Sequence, residues 1–269
     1  MNRSAASLSS AFPRRTLLAA GGAAALAGCG DGGEGREQPG PARNLTGRAD
    51  GENAPGPVVL LGDSVFDNAG YVAGGKSTSD HLEEVMAEAA EGWSAQLNAR
   101  DGAVVEDVPG QFEEGELDGA YAVLSAGGND ALRSAYILSL DVSDAAEVFN
   151  ELADLREDFE ARYDAAVAAV AEAVEGRLTV CTIYDPNYDE PRRQRPATAA
   201  LPAFNDIITR VAVRRGLPVI DLRTAFVAPD DYANPIEPSV AGGLKLAELI
   251  RTVVTTHDFA ASRSRFYTV

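Results

Sequence analysis

The chain has 269 residues, a formal charge of −18 from 41 acidic and 23 basic side chains, and only two histidines and two cysteines. So acidic a balance excludes a nucleic-acid-binding surface and adhesion to anionic lipid through basic patches. Two cysteines exclude a disulfide framework and a zinc site built on cysteine spacing.

Residues 1–28 contain no acid. Arg14 and Arg15 precede an Ala-, Gly- and Leu-rich stretch that ends in Leu26-Ala27-Gly28-Cys29. A basic start, a short apolar core and small terminal residues read as an export signal, of the twin-arginine kind, too short and too rich in Gly and Ala to span a bilayer. The Leu-Ala-Gly-Cys ending resembles a bacterial lipobox. It implies cleavage before Cys29, lipidation of its thiol and anchoring on the outer face of the cell membrane. Loss of residues 1–28 removes three arginines and moves the charge from −18 to −21. Residues 30–56 are rich in Gly, Pro, Asp and Glu and read as a tether. Residues 57–269 then make one α/β domain of ordinary size.

That domain opens with PVVLLGDSVFDN, residues 57–68. The apolar run 58–61 stops at Gly62, and Asp63 and Ser64 follow at once. Such a run reads as a buried strand. A serine just past its carboxyl end lies where open α/β sheets hold ligands. A turn or helix N-cap is the plain alternative for this tripeptide. Residues 80–90 look helical, and 101–105 reads as a short strand entered through Gly102. A second buried run, 120–124, ends as abruptly, in Ser125-Ala126-Gly127-Gly128-Asn129-Asp130. Apolar residues at three- and four-residue steps from Val148 to Val174 predict a long amphipathic helix closed by Gly176. A strand over 178–183 holds Cys181, expected in the core. A polar loop over 185–196, a helix over 199–215, a strand over 217–221 and a helix over 240–254 complete the domain. Strand and helix alternate throughout, which predicts a doubly wound α/β sandwich on a parallel sheet.

The chemistry-bearing residues stand after the strands. Acyl transfer needs a nucleophile and donors aimed at the developing oxyanion. Ser64 has a hydroxyl and an amide, Gly102 an amide with no side chain in the way, and Asn129 a side-chain amide. GDSVFDN, Gly102 and the GGND of residues 127–130 together resemble the first three blocks of the SGNH, or GDSL-type, hydrolases, over residues 57–254. The resemblance implies a flavodoxin-like three-layer αβα sandwich that cleaves lipid, carbohydrate or small acyl esters through Ser64. It implies an oxyanion hole of Ser64, Gly102 and Asn129, and it calls for no cofactor and no metal.

The family's closing Asp-x-x-His is matched by Asn234-Pro235-Ile236-Glu237, so a histidine base and its orienting acid are both absent from that position. Three readings stand. Glu237 is the base for Ser64, with its pKa raised by burial and with Asn234 bonded to it. Alternatively, the scaffold is a silent ligand-binding lipoprotein. In the third, Asp63, Asp67 or Asp130 serves another nucleophile–base pair. His81, expected on a solvated helix face, and His257, expected in an exposed tail, lack the family's spacing. Gly127-Gly128 lacks the spacing of a phosphate-binding loop. Oligomeric state is not encoded in these patterns.

Overall fold

The computed structural model describes residues 53–261 and 263–269. The expected export signal, Cys29 and nearly all of the tether lie outside the described residues.

Six parallel strands form one sheet in the order β2-β1-β3-β4-β5-β6. They are β1 (Pro57–Gly62), β2 (Ser94–Leu97), β3 (Tyr121–Ser125), β4 (Leu178–Cys181), β5 (Val219–Ile220) and β6 (Phe266–Tyr267). The first five follow the flavodoxin-like order, which places a switch point between β1 and β3, where ligands bind at the carboxyl ends of strands.

Strand periodicity divides β1 between two cores. Val59 and Leu61 face one, built with Phe159, Tyr163 and Val167 of α3 (Ala145–Ala173) and Ile207, Ile208 and Val211 of α5 (Pro202–Arg215). Val58 and Leu60 face the other, with Leu82 and Met86 of α1 (Thr78–Ala89) and Leu246, Ile250 and Val253 of α7 (Val240–Thr256). Both faces of the sheet are therefore covered, and the expected three-layer sandwich is present. The short helices α2 (Gly128–Arg133), α4 (Pro191–Ala200) and α6 (Leu222–Ala225) complete it.

Local endings follow simple rules. The long helix α3 stops where Gly176 takes φ +84° and its amide returns to the Ala171 carbonyl at 2.8 Å. Gly216, at φ +69°, ends α5 in the same way.

Three expectations are corrected. Residues 101–105 are not a strand: Gly102 adopts φ +76° in a turn, and a 3-10 helix follows over Val105–Gln111. The second strand is instead Ser94–Leu97, a mostly exposed edge with no buried run to announce it. Residues 185–196 are only partly a loop, because Pro191 fits the first turn of α4 and starts a helix there. The helix expected over 199–215 is two helices joined at Leu201, with Pro202 opening the second.

Candidate active site

Gly62 ends β1 directly against Ser125, the last residue of β3. A Cβ on Gly62 would lie 1.7 Å from the Ser125 carbonyl oxygen, and its φ of +122° is one that only glycine holds without strain. The buried Gln111 amide clamps this strand end, donating to the Gly62 carbonyl and accepting from the Gly62 amide, both at 2.7 Å. The chain then turns sharply. The Phe66 and Asp67 amides return to the Asp63 carbonyl, and the Val65 amide reaches Asp63 Oδ1. Ser64 is carried at the crest of this turn.

Across from it, an Asx turn presents Glu237. Asn234 Oδ1 accepts from the amides of Ile236 (2.9 Å) and Glu237 (3.0 Å). Asn234 thus holds the backbone of Glu237; the expected bond to the carboxylate is not the one formed. The loop is pinned on all sides. Tyr184 Oη donates to the Ile236 carbonyl at 2.6 Å, the Asn187 amide to Pro235 at 2.7 Å, and Asn68 Nδ2 to Pro238 at 3.0 Å.

These two turns bring Ser64 Oγ to 3.1 Å from Glu237 Oε1, as donor to acceptor. Glu237 is 5 % exposed, and its second oxygen, Oε2, is buried with no hydrogen-bond partner among the described residues. Burial raises its pKa to about 7, against the lowering effect of the Ser64 hydrogen bond. Asp63 is also pushed up to about 7 by burial, opposed by the Val65 amide and reinforced by the charges of Glu237 and Asp130.

The expected oxyanion donors are tied to the same place. Asn129, at the start of α2, donates through Nδ2 to the Ala103 carbonyl at 2.9 Å, which leaves its second N–H unused. The Asp101 amide donates to Asp67 Oδ2 at 2.9 Å. The Gly102 turn is therefore bound to α2 on one side and to the Ser64 turn on the other. Neither the Ser64 amide nor the Gly102 amide has an acceptor among the described residues.

Other candidates are placed elsewhere. Asp130 takes Arg162 Nη1 at 2.6 Å and the Val105 amide at 3.1 Å, so it braces α3 against the Val105 segment, and it does not line the cavity at Ser64. Asp67 is held by the Asp101 amide. His81 is buried in the first turn of α1, not on a solvated face, and it does not line the cavity at Ser64. His257 is buried rather than exposed, bonded through Nδ1 to Tyr267 Oη at 3.0 Å and packed edge-on against Phe259. Each histidine is buried with its Nε2 lacking a hydrogen-bond partner among the described residues. Among the described residues no group of three His, Cys, Asp or Glu side chains is placed to hold a metal ion.

Two contributors escaped the sequence reading. Asn68, within the opening motif, accepts from the first amide of α1 and donates to Pro238, linking the Ser64 turn to the Glu237 loop. Tyr184 stacks on Phe226 at 4.4 Å and holds the Ile236 carbonyl. Nothing in local sequence separates such an aromatic from a core residue.

Ser64, Asp63, Asn129 and Glu237 line one cavity of about 520 Å³, otherwise walled mainly by apolar side chains such as Leu132, Ile137, Leu155, Leu201 and Phe204. A serine hydroxyl bonded to a carboxylate, beside free amides at the carboxyl edge of a flavodoxin-like sheet, is an arrangement that acyl transfer through a serine can use. A family model described as the GDSL-like lipase/acylhydrolase family matches residues 60–242, and the chain belongs to that family. Among solved structures it is similar to the lipase Lip_vut3 from a goat rumen metagenome (17 % identity, TM-score 0.58, covering 76 % of this chain and 99 % of that one). It is also similar to phospholipase A1 from Streptomyces albidoflavus (19 %, 0.53, 74 % and 99 %) and to the acetyl xylan esterase AlAXEase (18 %, 0.54, 74 % and 99 %). At these identities the likeness is one of fold. Comparison with curated proteins gives no match.

Proposed function

We propose that this chain is a serine ester hydrolase in which Ser64 is the nucleophile and Glu237, in place of the family's histidine, is the general base. The observation that carries the reading is the 3.1 Å hydrogen bond from Ser64 Oγ to Glu237 Oε1 inside the cavity. Glu237 takes the Ser64 proton as Oγ attacks the ester carbonyl. The oxyanion is met by the Ser64 and Gly102 amides and the spare N–H of Asn129. Glu237 then passes the proton to the departing alcohol, and water hydrolyses the acyl-enzyme by the reverse sequence. A carboxylate of ordinary pKa is a poor base near neutrality; one raised to about 7 by burial is matched to it. Asn234 acts as a positioning residue through the Glu237 amide.

The test is hydrolysis of para-nitrophenyl esters by the full-length protein. Ser64→Ala abolishes turnover, and Glu237→Gln lowers kcat by roughly 10²–10⁴-fold. Turnover that survives Ser64→Ala rejects the nucleophile. Apolar ligand uptake with no ester turnover would instead favour the silent binding protein.

The amino-terminal sequence supports export and lipid anchoring through Cys29 as part of the same proposal. Metabolic palmitate labelling that persists in Cys29→Ala would overturn it.

A further inference from the structure

The cavity at Ser64 is two-sided in a way that bears on what the ester carries. Resting on the hydrolase reading above, the alcohol half of the substrate must face Glu237, because the base that takes the serine proton returns it to the leaving oxygen. The loop that carries Glu237 is bonded through Pro235 to the Asn187 amide, four residues before α4. The first turn of α4 brings Arg192 and Arg193 to the cavity wall, where the exposed Glu190 directly before them also stands.

The charges of these arginines are not spent within the protein. Eight of the fifteen arginines of the described residues are paired with carboxylates, and of the seven that are not, Arg192 and Arg193 are the two that line this cavity. Arg192, Arg193 and Arg195 stand together on α4 and form no ion pair among the described residues, although Asp189 and Glu190 directly precede the helix. Arg193 lies over the Tyr188 ring at 4.0 Å, which fixes its plane beside the cavity. In a chain of charge −18, an unpaired basic turn at the mouth of an apolar cavity holding two buried carboxylates provides local attraction for an anion that the rest of the surface repels.

We propose that Arg192 and Arg193 receive an anionic group on the alcohol portion of the ester, while the acyl chain occupies the apolar wall formed by α2 and α3. The substrate is then an amphiphile: an apolar acyl chain esterified to an alcohol that bears a phosphate or carboxylate. Planar guanidinium groups suit both anions.

Matched pairs of esters test this. One pair is para-nitrophenyl octanoate and its meta-carboxy derivative; the other is octanoylglycerol and octanoylglycerol phosphate. The anionic member of at least one pair is expected to have the lower KM, by roughly fivefold to tenfold, and the pair with the larger ratio identifies the anion. The ratio collapses toward one in Arg192→Gln/Arg193→Gln and with added salt, and it is retained in Arg192→Lys/Arg193→Lys. Equal KM values within both pairs, or a preference that survives the glutamine pair, overturn the proposal. If no ester is hydrolysed, the catalytic reading fails separately. The arginines are then tested by displacement of Nile red: tighter competition by dodecyl phosphate than by dodecanol, lost in the glutamine pair, upholds the anion site, and equal competition rejects it.

Discussion

Glu237 combines two properties that oppose each other, an almost complete loss of solvent and a role that requires its charged form. Its pKa of about 7, raised by burial, means that the base form appears only as pH rises through neutrality. The expected kcat/KM therefore climbs with pH through about 7 and flattens above it, with Glu237→Gln flat throughout; a profile centred near 4.5 would show a solvated carboxylate. Stability runs the other way. Because the folded-state pKa lies above that of the unfolded chain, the folded state holds the proton more tightly between about pH 4.5 and 7. The stabilisation is complete below the unfolded value and is lost as pH rises through the folded one. Glu237→Gln should thus raise stability by roughly 2–3 kcal/mol above pH about 8 and change little near pH about 4. Paired thermal melts of the two proteins at those pH values check this.

At the scale of elements, the site depends on how two turns are held. Asn234→Ala removes both acceptor bonds of the Asx turn and should lower kcat roughly tenfold with about 1–2 kcal/mol of lost stability, whereas Asn234→Asp keeps the turn. Gly62→Ala places a methyl group against the Ser125 carbonyl at an unfavourable φ and should cost more than about 3 kcal/mol, read as a lowered denaturation midpoint. These turns also show what was legible beforehand. β1, β3, α3 and α7 were readable because each buries a periodic or continuous apolar set, and Ser64 and Asn129 were readable because each stands in the short stretch of glycine and polar residues that begins where such a run stops. β2 and β6 were not, since β2 is largely exposed and β6 has two residues, and their pairing comes from neighbours distant in sequence. The histidines were misjudged because a polar side chain carries no local sign of burial. Glu237 was legible only by alignment to a motif, and its approach to Ser64 spans 173 residues of chain.

For the whole molecule, the acidic excess sets a long-range repulsion that local ion pairs offset only in part. Arg214 and Arg215 of α5 bind Glu160 and Asp164 of α3 in a partly exposed network that ties two helices of one layer together. Such exposed pairs contribute little each and weaken with salt, while general repulsion among 41 acids is screened by the same salt. The melting temperature should therefore rise as sodium chloride is raised from low concentration to about 0.5 M. A fall would show that the helix-linking pairs outweigh the repulsion.

The buried second oxygen of Glu237 has a consequence for the order of events at the serine. An imidazole base engages a serine through one nitrogen and commits the other to its orienting partner. Here orientation comes from the main chain: Oε1 faces the Ser64 hydroxyl, and Oε2 is buried with no hydrogen-bond partner among the described residues. In the proposed reaction Oε1 serves first the attacking serine and then the water that later releases the acyl group, while Oε2, closed to solvent, takes no proton in either step. The two half-reactions then draw on the same oxygen of a side chain held by its backbone, and turnover needs no swing of the base between them.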